Sequence, residues 1–503
     1  MRRILLPVIL LLISFSGIPV SGFAQPYYVA TNGSDTNSGT LSSPFRTIEQ
    51  AVSVVQPGQT IYIRGGTFNL TATIAISKNG AANSLISLVA YQGERPVLNF
   101  SSQAFGSAGI RLTGSYWHIM GIDITAAGDN GMRIEGGTNN TIELCNFYRN
   151  RDSELQLDNG AANNTVRNCD SYFNADPSDY ADADGFAPKL TVGSGNYFYG
   201  YRSWRNCDDG WDGYMRGADD PSTTLENCWA FGNGYLEDGT DPGTQANGNG
   251  VKMGGSDDKL LKHNFTLKNC LAFGNKAKGF DQNSNMGSMI LYNCTGHGNL
   301  VANYRIKTEL APGKVLVIKN CAELGGTAEI GAFAEQANNS WKPPFVVTAG
   351  DFRSTDPAGA DGPRKADGSL PHIEYMHLAA GSDLIDAGVN VGLTFMGTAP
   401  DLGCFETGLS GISGTSISTA VVCYPNPVSD RAVLQFHLDR GGRCEVRLYD
   451  VTGRYVRSLA DRAVDPGEQR IEINVSDIRD GLYVCQVRVN EVAISVIRII
   501  KAS

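Results

Sequence analysis

The sequence of 503 residues is short of positive charge. It has 41 Lys and Arg against 51 Asp and Glu, which gives a formal net charge of -10 at pH 7. Because phosphate binding needs a basic face, this balance argues against nucleic acid as a partner. An acidic protein that acts on an acidic polymer needs local cations to offset the repulsion between the two.

Long apolar segments are scarce as well. One apolar run covers residues 4–15, after two arginines and before a small-x-small sequence at residues 22–24. This run is shorter than the roughly 20 residues that a membrane-spanning helix needs, and no later segment is apolar enough to span a bilayer. Residues 1–24 are therefore predicted to be an export signal that is cleaved before Gln25.

The cysteines lack the placement of a disulfide framework, although the protein is predicted to be exported. Most of the 11 Cys recur in one repeated sequence context, and three of the steps between them are 24 or 27 residues, which is typical of repeat architectures. Four segments share a template with Asn and Cys at the third and fourth positions and Asn at the last: 166–174, 225–233, 267–275 and 291–299. We therefore predict reduced, buried cysteines that stack from turn to turn.

The repeats predict an all-β fold, a parallel β-helix, over residues 25–406. Their strands are short, their turns are rich in Gly and Asn, and no helical stretch separates them. Asn at one recurring position can form a hydrogen-bonded ladder along the stack. Residues 44–55 have apolar residues at helical spacing, which predicts a short helix that caps the open N-terminal end of the coil.

The composition changes after residue 406. Residues 407–422 are rich in Gly, Ser and Thr and are predicted to form a linker. Residues 423–503 alternate as several short strands separated by turns, which predicts a small, separate C-terminal β-sandwich.

A second pattern lies downstream in each repeat. Its copies read polar residue, Gly, apolar residue and variable residue, as in the segments that begin at Asp184, Asp209 and Asn249. The apolar residue points inward, so the second and fourth positions point outward, with Gly clearing room on the outer wall. Stacking turns about 4.8 Å apart places Asp184 over Asp209, and Asp212 beside Lys252.

This stacking gathers four carboxylates, those of Asp184, Asp208, Asp209 and Asp212. Carboxylates this close repel one another and need a cation. All-oxygen, carboxylate-rich ligation is what Ca²⁺ prefers, whereas the absence of His and Cys from the cluster argues against Zn²⁺. We predict that the four aspartates ligate calcium.

Lys252 is the predicted base. At its free pKa of about 10.4 a lysine is mostly protonated at neutral pH, and a calcium ion nearby disfavours that charge. The same ion can bind a uronate carboxylate and acidify the neighbouring C5 proton. Loss of this proton together with the group at C4 is a β-elimination. Lys189 and Arg216 are predicted to bind substrate carboxylates.

At these residues the chain resembles polysaccharide lyase family nine, the pectate and rhamnogalacturonan lyases with a right-handed parallel β-helix. The resemblance implies that the four aspartates ligate Ca²⁺, that Lys252 is the Brønsted base and that the substrate is an acidic plant cell-wall polysaccharide. Residues 235–245 look like an insertion before the lysine. The motifs that carry the resemblance are 184–187, 207–212 and 248–255, and it covers most of residues 26–406.

The C-terminal segment resembles a type IX secretion sorting domain. The matching segments are 424–427, 448–454, 481–483 and 497–501. The resemblance implies an address that is read by outer-membrane secretion machinery, and hence a secreted or cell-surface protein. A carbohydrate-binding sandwich is the alternative, but the strands lack an obvious aromatic platform.

Several functions stay open at this point. A pectate lyase and a rhamnogalacturonan lyase would share one mechanism. An inverting β-helix glycoside hydrolase would use its carboxylates as acid and base around a water molecule and would need no metal. A non-catalytic surface carbohydrate-binding protein would keep the ladder and show no turnover. We expect a monomer.

Overall fold

The computed structural model describes residues 25–407, 421–438, 441–450, 455–489 and 492–502. The predicted export signal and nearly all of the predicted linker lie outside these ranges. The described residues form two compact units, the first of which ends at Phe405. Within the described ranges, no helix has the length and apolar character needed to cross a membrane.

The first unit is a coil of parallel strands with three walls, which confirms the predicted parallel β-helix. The first wall is one sheet of 12 strands. Its strands are Tyr27–Val29, Thr60–Ile63, Ile86–Ala90, Trp117–Met120, Thr141–Glu143, Thr165–Arg167, Asn196–Tyr199, Ser222–Glu226, Asn264–Lys268, Met289–Tyr292, Leu316–Lys319 and Glu335–Ala337.

The second wall is one sheet of 10 strands, whereas the third wall is divided into sheets of five and four strands. The second wall contains Gly66–Asn69, Pro96–Asn99, Asp123–Thr125, Asn146–Tyr148, Asp170–Tyr172, Arg202–Trp204, Trp229–Phe231, Leu271–Phe273, Thr295–His297 and Ala322–Leu324. The third wall contains Ile74–Ile76, Ile110–Leu112, Met132–Glu135, Leu155–Asp158 and Phe186–Pro188, then Val251–Lys252, Lys278–Asp281, Ala302–Ile306 and Ala328–Ile330.

Alternation within the strands builds the core. Along the third wall, Met132, Leu155, Phe186 and Phe280 point inward and have no exposed surface. Burial of each such side chain stabilises the fold by about 1.5–3 kcal/mol relative to leaving it exposed. One continuous apolar cluster therefore fills the coil from its first turn to its last.

The predicted Asn ladder lies at the corner between the second and third walls. In most steps the Asn Oδ1 accepts the backbone N–H of the ladder Asn one turn earlier, as in Asn150 to Asn174 and Asn233 to Asn275, both 3.0 Å. Between Asn174 and Asn206 the side-chain amide of Asn174 donates instead, at 2.6 Å. The ladder runs through Asn150, Asn174, Asn206, Asn233, Asn275 and Asn299. All 11 cysteines are free thiols and those of the repeats are buried, so the prediction of reduced, stacked cysteines is also confirmed.

The predicted cap is a helix at Ile48–Val54. Thr47 caps its N-terminus by accepting the backbone N–H of Gln50 at 3.2 Å. The helix buries Ile48, Ala51 and Val52 against the first turn of the coil, and so closes the N-terminal end of the core.

A mostly irregular arm follows the last turn and covers the outer face of the second wall. It begins with a short 3-10 helix at Ala349–Asp351. Phe352 and Tyr375 of the arm form a second apolar cluster with Trp204 and Phe273 of that wall. These contacts fix the arm to the second wall.

The second unit consists of two antiparallel sheets that share one apolar cluster, which confirms the predicted β-sandwich. The first sheet contains Val422–Tyr424, Arg431–Leu438 and Gly467–Asn474, and the second contains Gly442–Asp450, Tyr455–Val464, Gly481–Val489 and Val492–Lys501.

Candidate active site

The candidate site lies at the division in the third wall. Four isolated parallel bridges cross the division, among them one from Phe186 to Trp211 and one from Asp212 to Lys252. These bridges confirm the predicted register, in which the apolar residues of the second pattern stack in one file and Asp212 pairs with Lys252. Between the bridged residues the chain forms no continuous strand, so the polar side chains of this segment can lie close to one another.

The glycines of the second pattern are needed for a different reason from the one predicted. A Cβ at Gly185 would lie 2.0 Å from Ser203 Oγ, and one at Gly210 would lie 2.6 Å from the Asn233 amide. The space they leave is therefore occupied by the corner of the second wall and the Asn ladder and is not open room on the outer wall. Gly at this position lets the aspartate turns approach the ladder.

Asp184, Asp208 and Asp209 form a buried group that we call the Asp triad. Each offers a carboxylate oxygen, and these oxygens lie within 4.8 Å of one another. Asp209 Oδ2 is buried and lies 2.9 Å from Lys252 Nζ, with which it forms an ion pair. A dense, buried set of carboxylate oxygens without His or Cys suits a hard cation such as Ca²⁺.

Backbone and side-chain donors hold the Asp triad in place. Ser153 Oγ donates to Asp184 at 2.9 Å. The backbone N–H and the side-chain amide of Asn249 both donate to Asp209, at 2.7 and 2.8 Å. Asp208 accepts the backbone N–H groups of Asp182 and Asn247. Donors from neighbouring turns thus orient the oxygens of the triad, together with the backbone N–H of Asp209, which donates to Asp184 at 3.3 Å.

Asp212, the fourth predicted ligand, stands outside the Asp triad and faces two buried lysines. Lys252 Nζ lies 3.2 Å from Asp212 and 2.9 Å from Asp209. Lys189 Nζ lies 2.9 Å from Asp184 and 3.7 Å from Asp212. When all of these groups are ionised, the four carboxylates outnumber the two ammonium groups. One divalent cation would balance the negative charge that remains.

The pKa values in this cluster follow from burial and from the two lysines. Burial raises the pKa of every member of the Asp triad, and the neighbouring aspartates raise it further. Burial also acts to raise the pKa of Asp212, but Lys252 and Lys189 outweigh it and lower that pKa. Burial acts to lower the pKa of Lys252, but the surrounding aspartates, Asp209 first, raise it well above its usual value. A cation on the triad would oppose this last effect.

The two predicted substrate-binding residues differ in position. Lys189 is buried within the carboxylate cluster, whereas Arg216 is exposed and lies 3.4 Å from Asp257. Both line a cavity of about 130 Å³ together with Lys252, which we call the lysine cavity. They also line a neighbouring cavity of about 200 Å³ with Arg133, so the two cavities adjoin each other.

Several residues of the site have no counterpart among the predicted ones. Ser153 and Asn249 open copies of the second pattern, so their place in the stack signalled them. Asn247 and Tyr214 follow no repeated pattern. Their positions depend on the course of the chain between turns, which carries no periodic signal.

Two sequence families match the chain. Residues 27–320 match the family described as Pel9A-like, right handed beta helix region. Residues 422–501 match the family described as Secretion system C-terminal sorting domain. The second match agrees with the resemblance seen in the C-terminal sequence.

Individual relatives are similar over most of their length. Pectate lyase L of Paenibacillus polymyxa is 42% identical over 73% of this chain and 85% of its own. Pectate lyase L of Dickeya chrysanthemi is 37% identical over 76% of this chain and 90% of its own.

Solved structures agree. The crystal structure of pectate lyase Pel9A superposes with a TM-score of 0.71 at 35% identity, over 76% of this chain and 97% of that one. A rhamnogalacturonan lyase superposes with a TM-score of 0.62 at 28% identity, over 71% of this chain and 97% of that one. The chain therefore belongs to the Pel9A-like family of pectate lyases, polysaccharide lyases built on a right-handed β-helix, and ends in a secretion-system sorting domain.

Proposed function

We propose that this protein is a calcium-dependent lyase that cleaves polygalacturonate by β-elimination, with Lys252 as the base. The observation that carries the proposal is the juxtaposition of Lys252 with the Asp triad. Lys252 Nζ lies 2.9 Å from a triad carboxylate and also lines the lysine cavity. A proton acceptor and a site for a hard cation thus lie side by side at the lysine cavity, which is where the sugar would bind.

Each group of the chain has a defined task in this reaction. Asp212 orients Lys252, and Arg216 at the cavity mouth binds a uronate carboxylate. When bound to the Asp triad, Ca²⁺ supplies Lewis-acid polarisation of the substrate carboxylate and offsets the negative charge around Lys252. Neutral Lys252 takes the C5 proton, the C5–H electrons form the C4–C5 double bond, and the C4–O4 bond breaks with O4 taking a proton from solvent.

Digestion of a panel of acidic polysaccharides tests this function. Polygalacturonate, rhamnogalacturonan and a glucuronate polymer are incubated with the full chain, with and without chelator, and the absorbance of unsaturated uronate product is followed. We expect product from polygalacturonate that disappears with chelator and returns with added Ca²⁺. Product without divalent ions would contradict the calcium requirement. Saturated products would indicate a hydrolase, and preference for the second polymer would indicate a rhamnogalacturonan lyase.

We further propose that residues 25–406 form the lyase domain and that residues 423–503 direct export through outer-membrane type IX machinery to the surface or medium. The sorting-domain match over 422–501 supports this proposal. Fusing residues 407–503 to a periplasmic reporter in a bacterium with that machinery tests it. Reporter that stays in the periplasm while a known cargo is exported would contradict the assignment.

A further inference from the structure

We propose that Tyr214 determines the sugar specificity of this site: its ring packs against the C–H face of the uronate beside Lys252 and selects the galacto configuration. This inference rests on the lyase function proposed above. Tyr214 is the one aromatic residue among the described residues that line the lysine cavity and its neighbour. Apart from Leu190, the other residues that line these cavities are polar or charged.

Contacts at both ends hold the Tyr214 ring. Its backbone N–H donates to Asp212 Oδ1 at 3.0 Å, so the residue is tied to the carboxylate that orients Lys252. Its hydroxyl donates to Asp257 at 2.6 Å. Such a ring loses little conformational freedom when a ligand binds, which favours its use as a rigid contact surface.

Two cationic side chains lie near the Tyr214 ring, and one of them is Lys252, the proposed base. Lys252 Nζ lies 5.7 Å from the ring centroid, and the Arg216 guanidinium lies 5.6 Å from it. In the proposed complex, a uronate that offers its C5–H to Lys252 and its carboxylate to Arg216 turns the face that carries C5–H toward Tyr214. The half-buried ring leaves surface for this contact.

The stereochemistry of the sugar decides what Tyr214 meets. When O4 is axial, as in galacturonate, the hydrogens on C3, C4 and C5 lie on one face and O4 projects from the other. That face is apolar and complements an aromatic ring. When O4 is equatorial, as in glucuronate, the C4 hydrogen lies on the opposite face and this continuous apolar patch is lost. Contact with Tyr214 therefore discriminates between the two configurations at C4.

The test uses a chain in which Lys252→Met slows turnover by about 10²–10⁴-fold, so that binding is measured before appreciable cleavage. Titration with tetragalacturonate in excess Ca²⁺ gives its affinity, and competition by α-methyl galacturonoside and α-methyl glucuronoside, which differ only at C4, gives the discrimination ratio. In this background we expect Tyr214→Ala to lower tetragalacturonate affinity and the ratio by about tenfold each. Tyr214→Phe keeps the flat ring and should retain most of both, whereas Tyr214→Leu keeps apolarity alone and should not.

Tyr199→Ala is the matched control, because Tyr199 is also half-buried beneath an arginine, at 5.8 Å, but lies on the first wall. It should change neither quantity. Equal loss in Tyr214→Phe and Tyr214→Ala would assign the effect to the hydroxyl and overturn the ring contact. An unchanged discrimination ratio in a Tyr214→Ala chain that still binds Ca²⁺ would also overturn the ring contact. If the parent chain cleaves no galacturonan, the lyase proposal itself fails, an outcome that is separate from either result.

Discussion

At the scale of single residues, the two buried lysines are alike in charge but differ in their contacts. Lys189 contacts Asp184 and Asp212, whereas Lys252 contacts Asp209 and Asp212 and lies beside the Tyr214 ring. Only the second position combines the carboxylates with an aromatic surface for a sugar. Substituting each lysine in turn therefore tests which of the two is the base.

We expect Lys252→Met to lower kcat by about 10²–10⁴-fold, the range that a general base contributes. Its affinity for Ca²⁺ should stay or rise, because a positive charge beside the Asp triad is removed. Lys189→Met keeps the base and should retain measurable turnover. Initial rates and calorimetric Ca²⁺ titration measure both effects. If Lys189→Met were the inactive variant and Lys252→Met the active one, the roles would have to be exchanged.

His263 should make the stability of the folded chain depend on pH. It is fully buried, Nδ1–H donates to the Gly213 carbonyl, and Nε2 accepts from Thr223. Burial lowers the pKa of His263 to about 4, so the ring stays neutral in the folded chain. As pH falls below about 6.5, the unfolded chain gains a proton that the folded chain does not bind. Stability is therefore lost between about pH 6.5 and 4.

The loss attributable to His263 approaches about 3 kcal/mol at pH 4. Urea unfolding of the parent chain and of His263→Gln across this range measures it. Gln cannot titrate, so the variant should be less stable at pH 7 but should lose less stability on acidification. Parallel pH profiles for the two chains would rule out this contribution.

At the scale of structural elements, the Asn ladder connects the scaffold to the site. Asn233 accepts both the backbone N–H and the side-chain amide of Asn206, at 3.2 and 3.1 Å, and its own amide donates to Asn275. A Cβ on Gly210, beside the Asp triad, would meet the same amide. The ladder thus sets how closely the aspartate turn can approach the corner.

Asn233→Ala should lower the free energy of unfolding by about 2–4 kcal/mol, because buried donors lose their acceptor. Ca²⁺ affinity should fall with it, as the turn at Gly210 loses its support. Asn83→Ala, at an exposed Asn, is the control and should change stability by no more than about 0.5 kcal/mol. Chemical unfolding and Ca²⁺ titration of both variants distinguish these results. Equal stability of the two would falsify the role of the ladder.

At the scale of the whole molecule, Ca²⁺ should stabilise the coil. The Asp triad draws together turns that are distant in sequence, so an ion that binds only the folded chain adds to its stability. At 100 times its dissociation constant the gain is about 2.7 kcal/mol. Thermal unfolding with Ca²⁺ and with chelator measures the shift. Asp209→Asn should reduce the shift strongly, and an equal shift in that variant would place the ion elsewhere.

The division of the chain into two units predicts that the first unit folds and is active without the second. Each unit has its own apolar cluster, so each has the core that independent folding requires. A chain that ends at residue 406 should keep the kcat of the mature full-length chain within about twofold and the same calcium dependence, but should not be exported. Purified enzyme assays and fractionation of cells measure the two properties. Loss of kcat on truncation would show that the second unit contributes to catalysis.

The sequence by itself determined the coil, the ladders, the capping helix and the register of the site. These features follow from periodicity, because a residue that recurs once per turn must stack on its counterparts, as Asp212 does on Lys252. Residue type then indicated the chemistry, since carboxylates without His or Cys suit Ca²⁺.

Only the tertiary structure decided which of these side chains meet. It placed Asp212 between Lys189 and Lys252, buried Lys189 and brought Asn247 onto Asp208 and Tyr214 to the cavity. Lys189, Asn247 and Tyr214 lie where the chain does not repeat. There, long-range packing and charge pairing set the position of a side chain, and neither leaves a local pattern in the sequence.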